Sequence, residues 1–369
     1  MENDTVISVN DSLTEGNFSV PMFYTAPYRI VGVFFASVIF IVGLLGNILV
    51  VIVVARTRTM HTPTNCYLLS LAVADCIVLI SATLPSIPEY FFQIDQWIWG
   101  SGMCPILVFL QYLGSSASAL SITAFTVERY IAICHPMKAQ TMCTVKRAKR
   151  IIAALWLFAI VYCAPWMALT SIKYTVYEDG THIQRCGFLK QRGSYVVYYM
   201  SDLIVFYVIP LMITTVLYGL IARILLSNTI PKTPGGGANG VKTNNKKITS
   251  SRNQVIRMLA VVVTLFATLW MPYRLMVVYN SFAKERYLDL WFILFCRVMI
   301  YINSAINPIL YNAMSVKFRR AFRKILRCGV RDRDMKYLYS EVATDTNTAY
   351  PKKLAVKASN GLNSNNSAL

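Results

Sequence analysis

Histidine, acidic side chains and internal repetition are what this sequence has little of. Three histidines in 369 residues, with no His-Glu-x-x-His stretch, leave little from which to build a His-rich metal centre. Charged residues make up only 14% of the chain, well below the roughly 25% of soluble domains. That shortage excludes an ordinary soluble globule and a disordered chain alike. Nine cysteines over this length are too sparse for a disulfide-knotted secreted module. The chain shows no internal repeat and no paired broken helices at matching positions, which disfavours a transporter. It shows no nucleophile–base pair and no metal-ligand set, which disfavours an enzyme of the membrane interior.

What is present is apolar: 56% of the chain is hydrophobic and 12% aromatic. A membrane-crossing helix needs about 20 mostly apolar residues. Residues 30–55, 105–127 and 151–172 carry no charge. Residues 66–87 carry only Asp75, 194–222 only Asp202, 258–283 only Arg274 and 290–316 only Arg297. None shows the polar face of a helix in a soluble bundle. The expected fold is therefore an all-α membrane protein, a seven-transmembrane helix bundle.

The net charge of +19 lies between these runs rather than on a nucleic-acid surface. Residues 1–28 contain no Lys or Arg, and the segment joining spans two and three carries Glu89 and Asp95 without a base. The opposite connections are basic: Arg56 and Arg58; Lys146, Arg147, Lys149 and Arg150; Lys246 and Lys247; Arg319, Arg320 and Arg323. The positive-inside bias sets the N-terminus outside and the C-terminus in the cytoplasm. The polar, acidic N-terminus predicts no cleavable signal peptide, and span one is expected to serve as signal-anchor. Three sequons, at Asn3, Asn10 and Asn17, are expected to be glycosylated in an extracellular arm of residues 1–28. Residues 29–328 form the expected helical domain, and residues 329–369 a disordered cytoplasmic tail. Residues 233–240 have linker composition. Phe318, Ala321, Phe322, Ile325 and Leu326 recur among bases, which predicts a short cytoplasmic amphipathic helix on the inner leaflet after span seven. Cys328 at its end is either palmitoylated or a free thiol. Cys104 and Cys186 are the cysteines on the oxidising side, so a disulfide is expected to pin the loop after span four across the bundle mouth.

Polar residues inside a membrane helix are costly, so each calls for a reason. Asn47, Asp75, Ser118, Asn303, Ser304 and Asn307 occupy four of the spans. Converging, they make either a structural hydrogen-bond network or a sodium site around Asp75. Glu128-Arg129-Tyr130 stands at the inner end of span three, where an acid beside an arginine forms an ion pair that a conformational change can release. Span six carries Trp270-x-Pro272, and span seven carries Asn307-Pro308-x-x-Tyr311. A proline inside a helix removes a backbone hydrogen bond, so a kink is expected in span six and a helix-breaking step at the end of span seven.

In this order and on these spans, the motifs resemble those of the rhodopsin-like G-protein-coupled receptors, over roughly residues 29–328. Asn47, Leu71-Ala-Val-Ala-Asp75, Trp156, Pro210 and Tyr218 add to the match. The resemblance implies that Arg129, Tyr218 and Tyr311 switch the cytoplasmic face open to a G protein, with Glu128 where many members have Asp. It also implies arrestin recruitment by a phosphorylated tail and residence in the plasma membrane. Gln111 stands where amine receptors carry an aspartate, and Tyr301 where opsins carry the retinal lysine. The candidate pocket holds Gln111, Tyr112, Ser116, Asp202, Tyr273, Arg274 and Arg297, a polar set suited to a small peptide.

Gln111-Tyr-Leu-Gly114, Leu269-Trp-Met-Pro-Tyr-Arg274 and Phe295-Cys-Arg297 are similar, within that family, to stretches of the thyrotropin-releasing hormone receptors. That likeness implies a short amidated peptide ligand, pyroglutamyl-histidyl-prolinamide, with Gq and phospholipase C behind it. Tyr112 and Tyr273 match ligand-contacting tyrosines, and Arg297 matches the arginine that meets the terminal amide carbonyl. Ser116 replaces an asparagine, which leaves a different short amidated neuropeptide as the alternative. Asp202 and Arg274 are expected to pair, because an unpaired buried charge is expensive, leaving Arg297 for the ligand. Ser367-Ala-Leu369 fits C-termini that dock in PDZ grooves.

Overall fold

The structure, a computed structural model, describes residues 22–177, 180–190, 192–229, 239–314 and 316–326. Asn3, Asn10, Asn17, Cys328, the linker residues 233–238 and the C-terminal motif lie outside the described residues. Among the described residues, seven helices are long and apolar enough to cross a membrane: Ala26–Arg56, Pro63–Glu89, Met103–Cys134, Val145–Leu169, Gly193–Ile224, Ala260–Phe282 and Leu290–Ala313. They are spans one to seven below. Large apolar side chains such as Phe34, Ile41, Leu157, Val161, Met212 and Val216 point away from the bundle. In water that surface would aggregate, whereas in lipid it is matched.

Local chemistry fixes the helix starts. Pro63 opens span two after Thr62, whose hydroxyl accepts the Asn65 amide at 3.3 Å. Thr144 accepts the Arg147 amide at 3.3 Å and caps span four. Both satisfy a backbone donor that the first helical turn leaves unpaired. Spans two and five each contain a π-helical turn, Leu79–Thr83 and Ile204–Val208. Pro85 and Pro210 follow these turns closely, and a proline clashes with the carbonyl four residues back. The wider turn relieves that clash while the helix continues.

Several boundaries differ from the sequence expectation. Span four stops at Leu169, so Ile172 is not membrane helix. It belongs to strand β1, Thr170–Val176, which pairs antiparallel with β2, His182–Phe188, with Ile172 opposite Cys186. Glu89 is not in a loop but is the last residue of span two. The helix of span six begins at Asn239 and runs through Pro272, so the sequence-expected linker ends before Asn239. Span seven does not break at Pro308, because its helix continues to Met314. The Ser304 carbonyl, four residues before Pro308, accepts the Asn47 side-chain amide of span one at 2.9 Å instead. The short helix after span seven is present as Val316–Leu326, with Phe318 buried against the Tyr311 ring. The compact unit that holds the bundle ends at Phe322.

Small residues set the closest approaches. A Cβ added to Gly114 of span three would stand 2.9 Å from the Ala74 carbonyl oxygen and 2.8 Å from Val78 of span two. One added to Gly43 would stand 2.8 Å from Ala305 of span seven. Close packing of small residues is what holds helices together where lipid supplies no hydrophobic drive.

Candidate functional site

The disulfide Cys104–Cys186 joins the start of span three to β2, and the Trp97 amide donates to the Gln184 carbonyl at 2.7 Å. The hairpin is thereby fixed over one end of the bundle. Beneath that end lies a cavity of about 320 Å³ lined by Gln111, Tyr273, Arg297, Glu89, Trp97 and Tyr301, among others. This volume sits at the lower end of the range for small-molecule sites. Tyr24, Tyr28 and Tyr90 pack beside it with Leu294 and seal the flank between spans one, two and seven. The Tyr301 hydroxyl donates to the Ala82 carbonyl at 3.3 Å, which bonds span seven to span two at the cavity floor.

Of the seven pocket candidates, three line this cavity: Gln111, Tyr273 and Arg297. The other four do not line it, though Tyr112, Asp202 and Arg274 lie close to its Tyr273. Tyr112 stacks on Trp166 of span four with ring centroids 4.4 Å apart and 10° between planes. The Ser116 hydroxyl lies 3.7 Å from the Cys163 sulfur and is 1% exposed. Asp202 and Arg274 form a buried ion pair between spans five and six, as their charges predict. The Arg274 guanidinium also sits 5.1 Å from the centre of the Trp270 ring, a cation–π contact. Arg297 forms no salt bridge or hydrogen bond with a described residue. Sequence reasoning passed over Glu89 as a loop charge, and the cavity gives it a different position.

Deeper in the bundle the polar residues do converge. Asn307 donates to Asp75 at 2.8 Å, and Ser118 donates to its other oxygen at 3.4 Å. The Asn47 amide donates to the Ser304 carbonyl at 2.9 Å, while its own side-chain oxygen is buried without a partner. Asn303 is buried beside them, its carbonyl accepting from Asn307 at 3.3 Å. Asp75, Ser118 and the Asn47 side-chain oxygen bring a carboxylate, a hydroxyl and an amide oxygen to this cluster, the kinds of oxygen group that a small monovalent cation takes as ligands. A second network ties spans four, two and three: Trp156 donates to Ser70 at 2.9 Å, and Ser70 meets Ser121 at 2.9 Å.

At the end opposite the disulfide, Arg129 donates to Glu128 at 3.1 Å. Tyr130 bonds His135 at 3.3 Å. The Tyr311 hydroxyl there, and the Trp270 indole N–H beside the cavity-lining Tyr273, are buried with no hydrogen-bond partner among the described residues. Tyr218 neighbours Thr126 but makes no hydrogen bond of good geometry. Buried polar groups without partners are expensive, and their concentration here marks a part of the bundle whose polar contacts are incomplete in this conformation.

The chain matches the 7 transmembrane receptor (rhodopsin family) over residues 46–311. It is 50% identical over 341 residues to the thyrotropin-releasing hormone receptor of Gallus gallus, covering 88% of this chain and 85% of that one. It is 46% identical over 356 residues to that of Homo sapiens, covering 92% and 88%. It is 34% identical over 298 residues to neuromedin-U receptor 2 of Rattus norvegicus, covering 79% and 73%. The helix order, the motifs on their spans and these identities make one case: the chain belongs to the rhodopsin family of seven-transmembrane receptors, and within it to the thyrotropin-releasing hormone receptors.

Proposed function

We propose that this receptor binds pyroglutamyl-histidyl-prolinamide or a close analogue at the cavity beneath the hairpin and activates a Gq-type G protein, phospholipase C and calcium release. The observation that carries the reading is Arg297, which lines the cavity with Tyr273 and Gln111 and has no ion-pair partner among described residues. Such a guanidinium donates to a ligand carbonyl. Asp202 neutralises Arg274, so the binding charge is Arg297 alone among the two arginines. The disulfide end faces outward and the Arg129 end the cytoplasm, by the distribution of bases between spans. Residues 1–28 are then an extracellular glycosylated arm, 29–328 the receptor domain and 329–369 the tail that arrestin and a PDZ partner read. Asp75, Ser118 and the Asn47 side-chain oxygen would hold an allosteric sodium ion, which supplies positive charge that stabilises one conformation. Ligand shifts the bundle only by binding the active conformation more tightly.

The test is calcium release in cells expressing the chain, with Arg297→Ala at equal surface density. A response to the tripeptide that is lost in Arg297→Ala is the expected result; a silent wild type overturns the ligand. One observation favours a second reading. Ser116 faces Cys163 rather than the cavity, so a ligand with a different N-terminal group fits the space equally well. A stronger response to another amidated peptide selects that reading.

A further inference from the structure

Among the described residues, Glu89 and Arg297 are the only charged side chains that line the cavity. They come from spans two and seven, and neither forms a hydrogen bond or ion pair with a described residue. Glu89 is held on a short helical stretch, Leu84–Glu89, stiffened by Pro85 and Pro88. A half-buried carboxylate without a donor and a guanidinium without an acceptor are both costly in a cavity. Their charges cancel, so a neutral ligand group fits between them better than a charged one. An ammonium meets Arg297 with like charge, and a carboxylate meets Glu89 with like charge. A primary carboxamide offers an acceptor and a donor on adjacent atoms and leaves neither residue unpaired.

We propose that Glu89 is a specificity residue, accepting an N–H of the ligand's terminal carboxamide while Arg297 donates to its carbonyl oxygen, and that Glu89 is what rejects free-acid peptides. This rests on the peptide-receptor reading given above. With Glu89 the site repels the acid as well as accepting the amide through hydrogen bonds.

The test uses cells expressing the full chain and three forms of one peptide: pyroglutamyl-histidyl-prolinamide, its free acid and its N,N-dimethylamide. Wild type is expected to favour the amide over both others by more than about tenfold, a difference of about 1.4 kcal/mol per decade. In Glu89→Gln the acid is expected to gain potency by about tenfold, because glutamine donates to a carboxylate. A purely structural role cannot produce that gain. An amide-to-acid ratio unchanged in Glu89→Gln, or equal loss for all three ligands, overturns the proposal and leaves the receptor reading intact. If Glu89→Gln fails to reach the surface, the wild type still decides: a dimethylamide as potent as the amide overturns it. If the tripeptide is silent but another amidated peptide activates, the ligand reading alone falls. The same three forms of that peptide then judge Glu89. A wild type that answers the free acid best overturns it as well.

Discussion

Arg274 of span six closes on Asp202 of span five as a buried ion pair, with Arg274 8% and Asp202 4% exposed. The pair joins two helices on the side of the bundle where the described packing is otherwise thin, and it faces Trp270 through the guanidinium. Its two members depend on each other, because either charge alone in that place lacks compensation.

Asp202→Ala is therefore expected to destabilise the receptor by about 3–5 kcal/mol, since it strands the buried guanidinium. The double variant Asp202→Leu/Arg274→Met is expected to recover most of that loss, because well-packed apolar groups replace a buried pair at little cost. Thermal unfolding in detergent of the parent, the single and the double variant checks this. A double variant no more stable than the single one contradicts it.

The same pair shows how far the sequence could be read. Two lone charges of opposite sign in apolar helices must find each other, so their contact is legible in the sequence. The seven spans were legible for the same reason: apolar runs of membrane length leave few alternatives. The hairpin was not. Thr170–Val176 follows span four with no charge until Lys173, so the uncharged run extends to Ile172. Glu89 was hidden because a helix end after Pro85 and Pro88 looks like a loop. The contacts of Tyr112 with Trp166 and of Ser116 with Cys163, both of span four, are likewise not legible in the local sequence. Partners from another helix are not written in the local sequence.

Gly114→Ala is expected to abolish or sharply reduce folded receptor. The added Cβ meets the Ala74 carbonyl oxygen at 2.9 Å and the Val78 amide at 3.1 Å, and backbone cannot move aside as a side chain can. Spans two and three must separate, which also strains the Asp75–Ser118 contact at 3.4 Å. Overpacking of this kind costs about 1–3 kcal/mol or more. Surface expression measured beside Gly219→Ala, whose Cβ meets nothing within 4 Å, separates a packing effect from a general loss of expression.

Cys104→Ser is expected to loosen the hairpin from span three. The crosslink closes a separation of 82 residues, and loss of a disulfide costs about 2–4 kcal/mol through the freedom returned to the unfolded chain. The hairpin covers the cavity, so agonist affinity falls with stability. Binding before and after mild reduction of the wild type, compared with Cys104→Ser, tests the link. Affinity that survives both treatments detaches the hairpin from the site.

Asp75→Asn is expected to remove any effect of sodium on agonist binding while keeping the hydrogen bonds of the cluster. Asparagine replaces one carboxylate oxygen with a donor, so Asn307 at 2.8 Å retains an acceptor but the cation loses its charge partner. Competition binding in sodium against an organic cation of equal ionic strength is the measurement. A sodium effect of equal size in the variant places the ion elsewhere or nowhere in this cluster.

Glu128→Gln is expected to raise basal signalling. In this conformation Arg129 donates to Glu128 at 3.1 Å, and the two side chains are 18% and 8% exposed. Removing the negative charge weakens the bond that holds Arg129 in place without removing the acceptor or changing the shape. If that bond contributes about 1.4 kcal/mol more to the closed state than to the open one, its loss multiplies the open population about tenfold. Tyr218 and Tyr311 then offer Arg129 new partners, because neither hydroxyl has a good hydrogen bond with a described residue in this conformation. Guanine-nucleotide exchange without agonist, normalised to surface receptor, reads the shift. Tyr311→Phe in the Glu128→Gln background is expected to lower that basal rate again. If basal exchange in Glu128→Gln equals that of wild type, the ion pair is not what restrains the receptor.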